Sequence, residues 1–502
     1  MNSGKVPRRL HLAPLALALA SVSAAAAPFG VEMPAGTAGD HRGVAALFQA
    51  LRDVRSRGPV PVHQPVVIPV GSCADDSGLD TLRSAIDASG DGDTIDMSAL
   101  TCSTITLAQG AIPAYPDHLT LRGPGASKLA IDGGGLDRVF VHYGYSALRI
   151  ENLSVRNGFN QVAGYHVAGG ACVLSNGYVT LDHSIVSGCV AIGEGAYGGA
   201  ILARGVTMYT STLSGNLAQG SLLDTLTAAY GAGAFAYRGT AALYDSTVSG
   251  NRATIDPANT HGSYDTGAGI FADNGGIALR STIAGNYTDG SGGGITSHAS
   301  FVISNSTLSG NTALRKNGGG LFLRLNASSS LAVNNSTITG NGAVNGGGVY
   351  VAGTAASADL QSTLIAQNIA SAGAPDIASA TALTIGGANN LVMSSAAGIT
   401  LPADTLHAAP LLLPLAANGG PTFTHALGSG SPARDAGNNA ANLDTDQRGA
   451  GHPRVIGAAA DIGAYEASLA APTSAAAVPV LSNWLLGLLP GLLIWLARRR
   501  LA

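Results

Sequence analysis

The sequence predicts an all-β chain whose main body is a right-handed parallel β-helix, preceded by a capping helix and followed by a membrane-spanning tail. Three observations predict this fold class. A hexapeptide of the type Ser-Thr-x-Ser-Gly-Asn recurs along the middle of the chain. A glycine-rich segment precedes each copy, and the copies are 25 to 35 residues apart. Such a period is typical of solenoids, in which each repeat forms one coil.

The composition excludes several other classes. Glycine supplies 69 of the 502 residues, and 11% of residues are charged, against about 25% in an average soluble domain. Disorder is disfavoured, because 46% of residues are hydrophobic and the net charge is only −4. The same net charge gives no basic face for nucleic acid. The glycines do not recur at every third position, which excludes collagen.

The repeats predict two stacked rows of side chains. Neighbouring coils of a β-helix pair about 4.8 Å apart, so equivalent residues lie above one another. One row should fill the interior: Leu213, Val248, Ile283, Leu308, Ile338 and Leu364. The other should form an amide ladder at a bend: Asn216, Asn251, Asn286, Asn311, Asn341 and Asn368. A ladder that recurs in every coil has a structural role, because no single active site needs so many copies.

The remaining segments define the domain organisation. Residues 1–26 have the charge and hydrophobic pattern of a signal peptide, and residues 27–74, which are proline-rich near their end, are predicted to be an extended lead-in. Residues 75–410 form the β-helix, beginning with a capping helix at about 80–88. Residues 411–467 form a terminal unit, and 468–477 are a linker. Residues 478–502 contain an uncharged stretch long enough to cross a bilayer, followed by three arginines.

Four cysteines fit an exported protein, and no Cys-x-x-Cys spacing suggests zinc. Their even number allows three disulfide pairings. The local choice joins Cys73 to Cys102 and Cys172 to Cys189, and the other two pairings stay open.

Three segments resemble known families of exported bacterial proteins. Leu82-Arg83-x-Ala85-Ile86 and the following Gly92-Asp93-Thr94-Ile95 resemble the start of CSLREA-type β-helix proteins. Asp446-Gln447-Arg448-Gly449 and Asp461-Ile462-Gly463-Ala464-Tyr465-Glu466 are similar to the choice-of-anchor Q domain. The tail resembles the IPTL-CTERM sorting signal of Gram-negative bacteria in these residues: Pro479, Leu481, Ser482, Trp484, Arg498, Arg499 and Arg500. These resemblances imply cell-surface or extracellular location, with a sorting enzyme at the inner membrane and the membrane itself as partners.

Candidate site residues come from segments inserted after several Gly-Asn corners, which should crowd one face of the solenoid. Aromatic and polar residues there predict a polysaccharide-binding surface: Tyr197, Tyr230, His261, Tyr264, Tyr287 and Asp289. Adhesion or glycan binding without catalysis is therefore the leading expectation, with no cofactor and no nucleic-acid partner.

A polysaccharide lyase or glycoside hydrolase on the same pectate-lyase-like solenoid is the rival expectation. A hydrolase needs two carboxylates about 5–10 Å apart. Asp224, Asp256 and Asp265 are candidates, and with Arg252 two of them resemble a lyase's calcium-and-arginine site. No dedicated metal-binding motif is present, so calcium is the one ion considered. A third expectation is a purely structural envelope protein.

Overall fold

The computed structural model describes residues 42–55, 63–162, 167–220, 228–255, 266–326, 328–353 and 357–468. Within these residues the main body is a parallel β-helix, as the sequence predicts. Each coil contributes strands that pair in parallel with the equivalent strands of the next coil. Right-handed winding, also predicted, is what parallel crossovers adopt in about 98% of cases.

The strands of successive coils form five parallel sheets, which are numbered here in the order in which a coil from the first half of the solenoid visits them. Sheet 1 contains Val67–Pro69, Thr94–Asp96, Leu119–Arg122, Ala147–Glu151, Tyr178–Asp182, Gly205–Tyr209, Ala241–Tyr244, Gly276–Leu279, Phe301–Ser304, Ser330–Asn334, Ser357–Gln361, Leu383–Ala388 and Ile399–Thr400. Sheet 2 contains Thr104–Thr106, Ala130–Asp132, Ser154–Arg156, Ile185–Ser187, Thr212–Ser214, Thr247–Ser249, Thr282–Ala284, Thr307–Ser309, Thr337–Thr339, Leu364–Ala366 and Leu391–Val392.

The other three sheets close each coil. Sheet 3 contains Phe159–Gln161, Val190–Gly193, Leu217–Gly220, Arg252–Ile255, Tyr287–Thr288, Thr312–Ala313, Gly342–Ala343 and Ile369–Ala370. Sheet 4 contains Val167–Gly169, Gly195–Tyr197 and Ala228–Tyr230. Sheet 5 contains Ile112–Ala114, Phe140–His142, Val173–Ser175, Ile201–Ala203, Ala234–Ala236, Ile270–Ala272, Ile295–Ser297, Leu321–Arg324, Val349–Ala352 and Ile377–Ser379.

The interior row follows the predicted register for five coils and then shifts by one residue. Leu213, Val248, Ile283, Leu308 and Ile338 are buried and in register. In the next coil Ile365 continues the row, because Leu364 pairs with Thr337 instead. The extra residue in Ser-Thr-Leu-Ile-Ala-Gln-Asn causes the shift. Leu364 therefore lies on the outer face of sheet 2, in an apolar cluster with the terminal unit.

The asparagine row forms a continuous directional ladder. Each side-chain amide donates to the carbonyl oxygen of the next asparagine, from Asn216 through Asn368, over 2.8–2.9 Å. The last member, Asn368, donates to the carboxylate of Asp376 over 2.8 Å. The ladder is buried, so every amide that it pairs avoids the cost of an unsatisfied polar group.

Both local disulfides are present in the structure, Cys73–Cys102 and Cys172–Cys189. Cys189 occupies the ladder position one coil before Asn216, whose side-chain oxygen accepts its backbone N–H. Cys172 occupies the position that is glycine in the later coils, where a Cβ on Gly233 would lie 3.2 Å from the side chain of Asn251. The disulfide thus replaces an asparagine–glycine contact across the same corner.

Two helices belong to the N-terminal part. Helix α2 (Leu82–Asp87) is capped by the Thr81 side chain and buries Leu82, Ala85 and Ile86, which matches the predicted capping helix. The predicted extended lead-in at 27–74 differs from the structure, because it contains helix α1 (Arg42–Arg55) and the first strand of sheet 1. The prolines that predict an extended chain follow the helix, whereas the apolar residues within Arg42–Arg55 recur at helical spacing.

Helix α1 lies against the outer face of sheet 5. Its Val44, Leu47, Phe48 and Leu51 are 0–1% exposed and pack in one cluster with apolar residues of sheets 4 and 5. Phe48 stacks on Tyr237 with ring centroids 4.9 Å apart. Helix α1 therefore covers part of the solenoid wall.

The terminal unit folds back along the solenoid instead of extending its end. It includes an antiparallel hairpin, Leu412–Ala416 with Thr424–Leu427. Hydroxyl groups on the outer face of sheet 2 hold the unit: Thr282 donates to the Phe423 carbonyl and Thr307 to the Gln447 side chain, both over 2.6 Å. Thr337 accepts from the backbone N–H of Ala464 over 3.0 Å.

Membrane attachment is not visible in the part of the chain that the structure describes. None of the helices there is long and apolar enough to span a bilayer. The predicted signal peptide and the tail at 478–502 lie outside the described residues.

Candidate functional site

The predicted loop face is only partly described. Asp224, Asp256, His261, Tyr264 and Asp265 lie outside the described residues. The described residues therefore do not test whether these carboxylates come together, and the lyase or hydrolase site built on them stays a prediction.

Tyr197 and Tyr230 do not line an open groove. They are 3% and 2% exposed, and their rings stack with centroids 5.0 Å apart. Both belong to the apolar cluster under helix α1. Burial raises the pKa of Tyr197 well above its ordinary value, with smaller contributions from Asp273 and Tyr237. The predicted contact of these two rings with a ligand is contradicted by this burial.

Arg252, Tyr287 and Asp289 do come together, but they bind one another. The Arg252 guanidinium lies 4.4 Å from the centroid of the Tyr287 ring. The Tyr287 hydroxyl donates to Asp289 over 3.0 Å, and the other Asp289 oxygen accepts the backbone N–H of Ile255 over 2.9 Å. Burial, followed by the charge of Asp289, raises the pKa of Tyr287 to about 12. This trio stabilises the corner between two coils.

A second surface, which the sequence analysis did not single out, lies on the outer face of sheet 1. It is called the sheet 1 outer surface here and consists of Arg122, Arg149, Glu151, Tyr178, Thr180, Asp182, Thr207, Tyr209, Ala242 and Tyr244. In all five strands that supply these residues the outward positions alternate with buried core residues. The surface thus follows directly from the two-residue period of β-strands.

The first part of this surface is a chain of ion pairs. Glu151 and Asp182 occupy equivalent positions in adjacent coils. Arg149 contacts both carboxylates, and Arg122 lies 3.1 Å from Glu151. His183 Nδ1 lies 2.6 Å from Asp182. The three basic side chains beside these two carboxylates are therefore engaged with partners on the same surface.

The second part is aromatic and partly open. Tyr209 follows Asp182 in the same row, and Tyr244 follows Tyr209. The two rings stack with centroids 5.1 Å apart and an interplanar angle of 9°. Tyr209 is 40% exposed and Tyr178 is 51% exposed. Partly exposed tyrosines offer an apolar ring together with a hydrogen-bonding hydroxyl.

A strip of smaller side chains, called the channel here, separates Tyr178 from the row of Tyr209 and Tyr244. Tyr178 and Asp182 both point outward, and four strand residues separate their rows by about 13 Å. The Tyr178 ring lies over Gly205, where an added Cβ would lie 2.9 Å from the ring. Thr180, Thr207 and Ala242 occupy the row between the tyrosines and form the floor. The channel therefore runs along the solenoid axis, one coil after another.

Repeat alignment could have revealed this surface. Tyr209, Tyr244 and Asp182 each stand two residues before the repeated serine, at Ser211, Ser246 and Ser184. Residues at one repeat position stack in adjacent coils, so this column was readable in the sequence. The segments after the Gly-Asn corners, from which the candidate site residues were predicted, do not contain this column.

Metal ligands are not clustered in the described part of the chain. No group of three or more His, Cys, Asp or Glu side chains there could hold a metal ion. The calcium cluster predicted from Asp256 and Asp265 lies in the segment that is not described.

No family model and no curated protein matches the chain. The resemblances to CSLREA, choice-of-anchor Q and IPTL-CTERM proteins therefore stay predictions. One solved structure that is similar is the crystal structure of pectate lyase Pel9A, at 12% sequence identity, a TM-score of 0.38, and coverage of 81% of this chain and 97% of that chain. A similarity at this level says nothing about substrate or activity.

Proposed function

We propose that the protein is an exported, surface-anchored β-helix protein that binds a polysaccharide, without cleaving it, along the sheet 1 outer surface. The observation that carries this proposal is the channel with Tyr178 on one side and the stacked Tyr209–Tyr244 pair on the other. Ligand sites combine aromatic walls with a few well-placed polar groups, and this channel supplies both.

The shape of the channel favours a linear polymer over a small ligand. The channel is shallow and open, and its floor repeats about every 4.8 Å, once for each coil. A small molecule would leave most of its surface in water there, whereas a chain of sugars can contact several coils at once. Contacts that are weak singly then add along the polymer.

Export and anchoring rest on the sequence pattern of the two ends and on the family resemblances described above. Two disulfides among four cysteines support an oxidising compartment. Under this proposal the tail at 478–502 holds the solenoid at the cell envelope, and a sorting enzyme and the membrane are its partners.

Cleavage is the second candidate function, and one observation favours it. Glu151 and Asp182 lie in adjacent coils, about 4.8 Å apart along the sheet, which is close to the carboxylate spacing of retaining glycosidases. Arg149 binds both carboxylates and keeps them in ionic contact. Both carboxylates are thus engaged by an arginine of the same surface, whereas the carboxyl pair of a glycosidase must flank the scissile bond. Binding therefore fits the geometry better.

The test uses the full chain purified in mild detergent and a panel of soluble polysaccharides, with polymer size and co-elution followed by chromatography. We expect co-elution with at least one polymer and unchanged polymer length. Tyr209→Ala should weaken binding, while Tyr350→Ala, which alters a ring of sheet 5, should leave it unchanged. Polymer shortening that is lost in Asp182→Asn would establish an enzyme. Absence of both binding and shortening would leave a structural role.

A further inference from the structure

We infer that the sheet 1 outer surface selects a neutral polysaccharide rather than a polyuronate or another polyanion. This inference rests on the proposed function and assigns its substrate class. It follows from the charge balance of the surface, from the ion pairs that engage its arginines and from the side chains that continue the channel.

The charges on this surface cancel. Of the ten residues that define it, Arg122 and Arg149 contribute two positive charges, and Glu151 and Asp182 contribute two negative charges, so the formal sum is zero. At the corner that follows, Arg280 and Asp245 form an ion pair and also cancel. The whole chain adds no positive field, since its formal net charge is −4. A polyanion approaching the channel therefore meets no electrostatic attraction of the kind that basic clefts provide.

The arginines are also occupied. Arg280 forms two parallel hydrogen bonds of 2.7 Å with the Asp245 carboxylate. Arg149 contacts Glu151 and Asp182 at the same time, and Arg122 contacts Glu151. A uronate could bind one of these guanidinium groups only by displacing a protein carboxylate, which would then lie beside the incoming negative charge. That exchange gains no ion pair and adds repulsion.

The rest of the channel suits hydroxyl groups and the less polar faces of sugars. Thr180 and Thr207 are half-buried on the floor, and their hydroxyls can donate and accept hydrogen bonds. Beyond Tyr244 the same rows continue with Ile277, Leu279 and Val302, which are also half-buried. This extension carries no charge and offers apolar contact to a neutral polymer.

The experiment compares binding of the full chain to a neutral glucan or xylan and to polygalacturonate, in low and in high salt, with and without millimolar calcium. We expect the neutral polymer to bind at least tenfold more tightly, with an affinity that salt changes less than twofold. Tyr209→Ala should weaken this binding about tenfold, a change that corresponds to the loss of one aromatic contact. Arg149→Gln should not remove the preference for the neutral polymer.

The failures of the two proposals are distinguishable. Tighter binding of polygalacturonate, falling with salt or requiring calcium, would overturn the neutral-substrate inference and leave the proposed polysaccharide-binding function standing. Equal binding of both polymers would also overturn the inference. If no polymer binds, the proposed function itself fails, and the inference fails with it.

Discussion

Two walls of the solenoid are covered by other parts of the chain, and the two covers are attached by opposite chemistry. Helix α1 covers sheet 5 through aliphatic and aromatic side chains, with Leu47 and Phe48 almost completely buried. The terminal unit covers sheet 2 largely through hydroxyl and amide groups, such as Thr307 and Gln447. Among the described residues, the sheet 1 outer surface keeps its tyrosines partly exposed, and it presents the aromatic channel.

The difference shows that different positions of one repeat determine the chemistry of different outer faces of the solenoid. The Ser-Thr-x-Ser-Gly-Asn repeat supplies outward hydroxyls on sheet 2 in every regular coil, so a partner segment attaches there by hydrogen bonds. The irregular coil at Leu364 adds an apolar contact. Adjacent strands of sheet 5 instead place Leu202, Phe235 and Phe271 at equivalent positions on the outer face, where the repeat does not require a polar residue. The cover of each wall follows from the repeat position that faces it.

The largest expected effect concerns the ion pair within the polar cover. Arg454 is 1% exposed and lies 2.8 Å from Glu466. Arg454→Met would leave the buried Glu466 carboxylate without its ion-pair partner, which we expect to cost about 3–5 kcal/mol. Hydrogen exchange should show the terminal unit detached from sheet 2. Arg434→Met, which removes only a hydrogen bond to the Ser468 carbonyl, is the control, and an equal effect of both variants would contradict this account.

The apolar cover should respond to loss of volume. Leu47→Ala removes a fully buried side chain from the contact between α1 and sheet 5, with an expected cost of about 2–5 kcal/mol. Protease cleavage within 42–55 should become faster while the solenoid stays intact. Gln49→Ala, on the exposed side of the helix, should change little. If Leu47→Ala left α1 protected, the proposed attachment through its apolar face would be wrong.

A matched pair of threonines isolates the hydrogen bonds of the polar cover. Thr307 and Thr247 occupy the same repeat position, but only Thr307 donates to Gln447, and Thr247 is half-exposed. Thr307→Val should weaken attachment of the terminal unit by about 1–3 kcal/mol, because it leaves a buried acceptor without its donor. Thr247→Val should stay within about 0.5 kcal/mol. Similar unfolding free energies for the two variants would contradict a polar attachment.

The smallest expected effect is a difference in pH response between the two ends. Burial raises the pKa of Asp75 and Asp132, but hydrogen bonds and charge from their arginine partners outweigh it and leave both pKa values lowered. Burial dominates at Asp461 and Glu466 and raises their pKa.

The sign follows from linkage. A lowered native pKa gives stability that is present above the ordinary carboxyl pKa and is lost as the pH falls through the native value. A raised native pKa gives stability that is present at lower pH and is lost as the pH rises through the native value. Acidification below about pH 4, the ordinary range of the Asp carboxyl, should therefore loosen the N-terminal coils before the terminal unit, as measured by hydrogen exchange corrected for its intrinsic rate. Earlier loosening of the terminal unit would contradict the assignment.

Much of the fold was predictable because equivalent residues of successive repeats stack in adjacent coils, so the repeat spacing gives the strand register. The hexapeptide located the interior row through Ile338 and the ladder through Asn368. The shift at Leu364 was not predictable from the pattern, because only contact with the terminal unit explains an outward leucine there. Helix α1 was missed although its apolar spacing was visible, since an isolated helix depends on a partner surface that the sequence does not display.

The candidate site was less predictable for a physical reason. Tyr197 and Tyr230 have the composition of a sugar-binding surface, but composition does not reveal that they are buried in the apolar cluster that also contains residues of helix α1. Tyr209 and Tyr244 become a site only through stacking between coils. The exposure of these tyrosines depends on which sheets are covered by other segments of the chain, and this is decided by tertiary packing.

The most direct test of the central claim is hydroxyl-radical footprinting of tyrosine side chains in the full chain, with and without a saturating neutral polysaccharide. The account predicts protection of Tyr178 and Tyr209, while Tyr115, which is 44% exposed and lies away from the sheet 1 channel, keeps its reactivity. Unchanged reactivity of Tyr178 and Tyr209 under conditions in which the polymer is bound would contradict it and place the binding surface elsewhere.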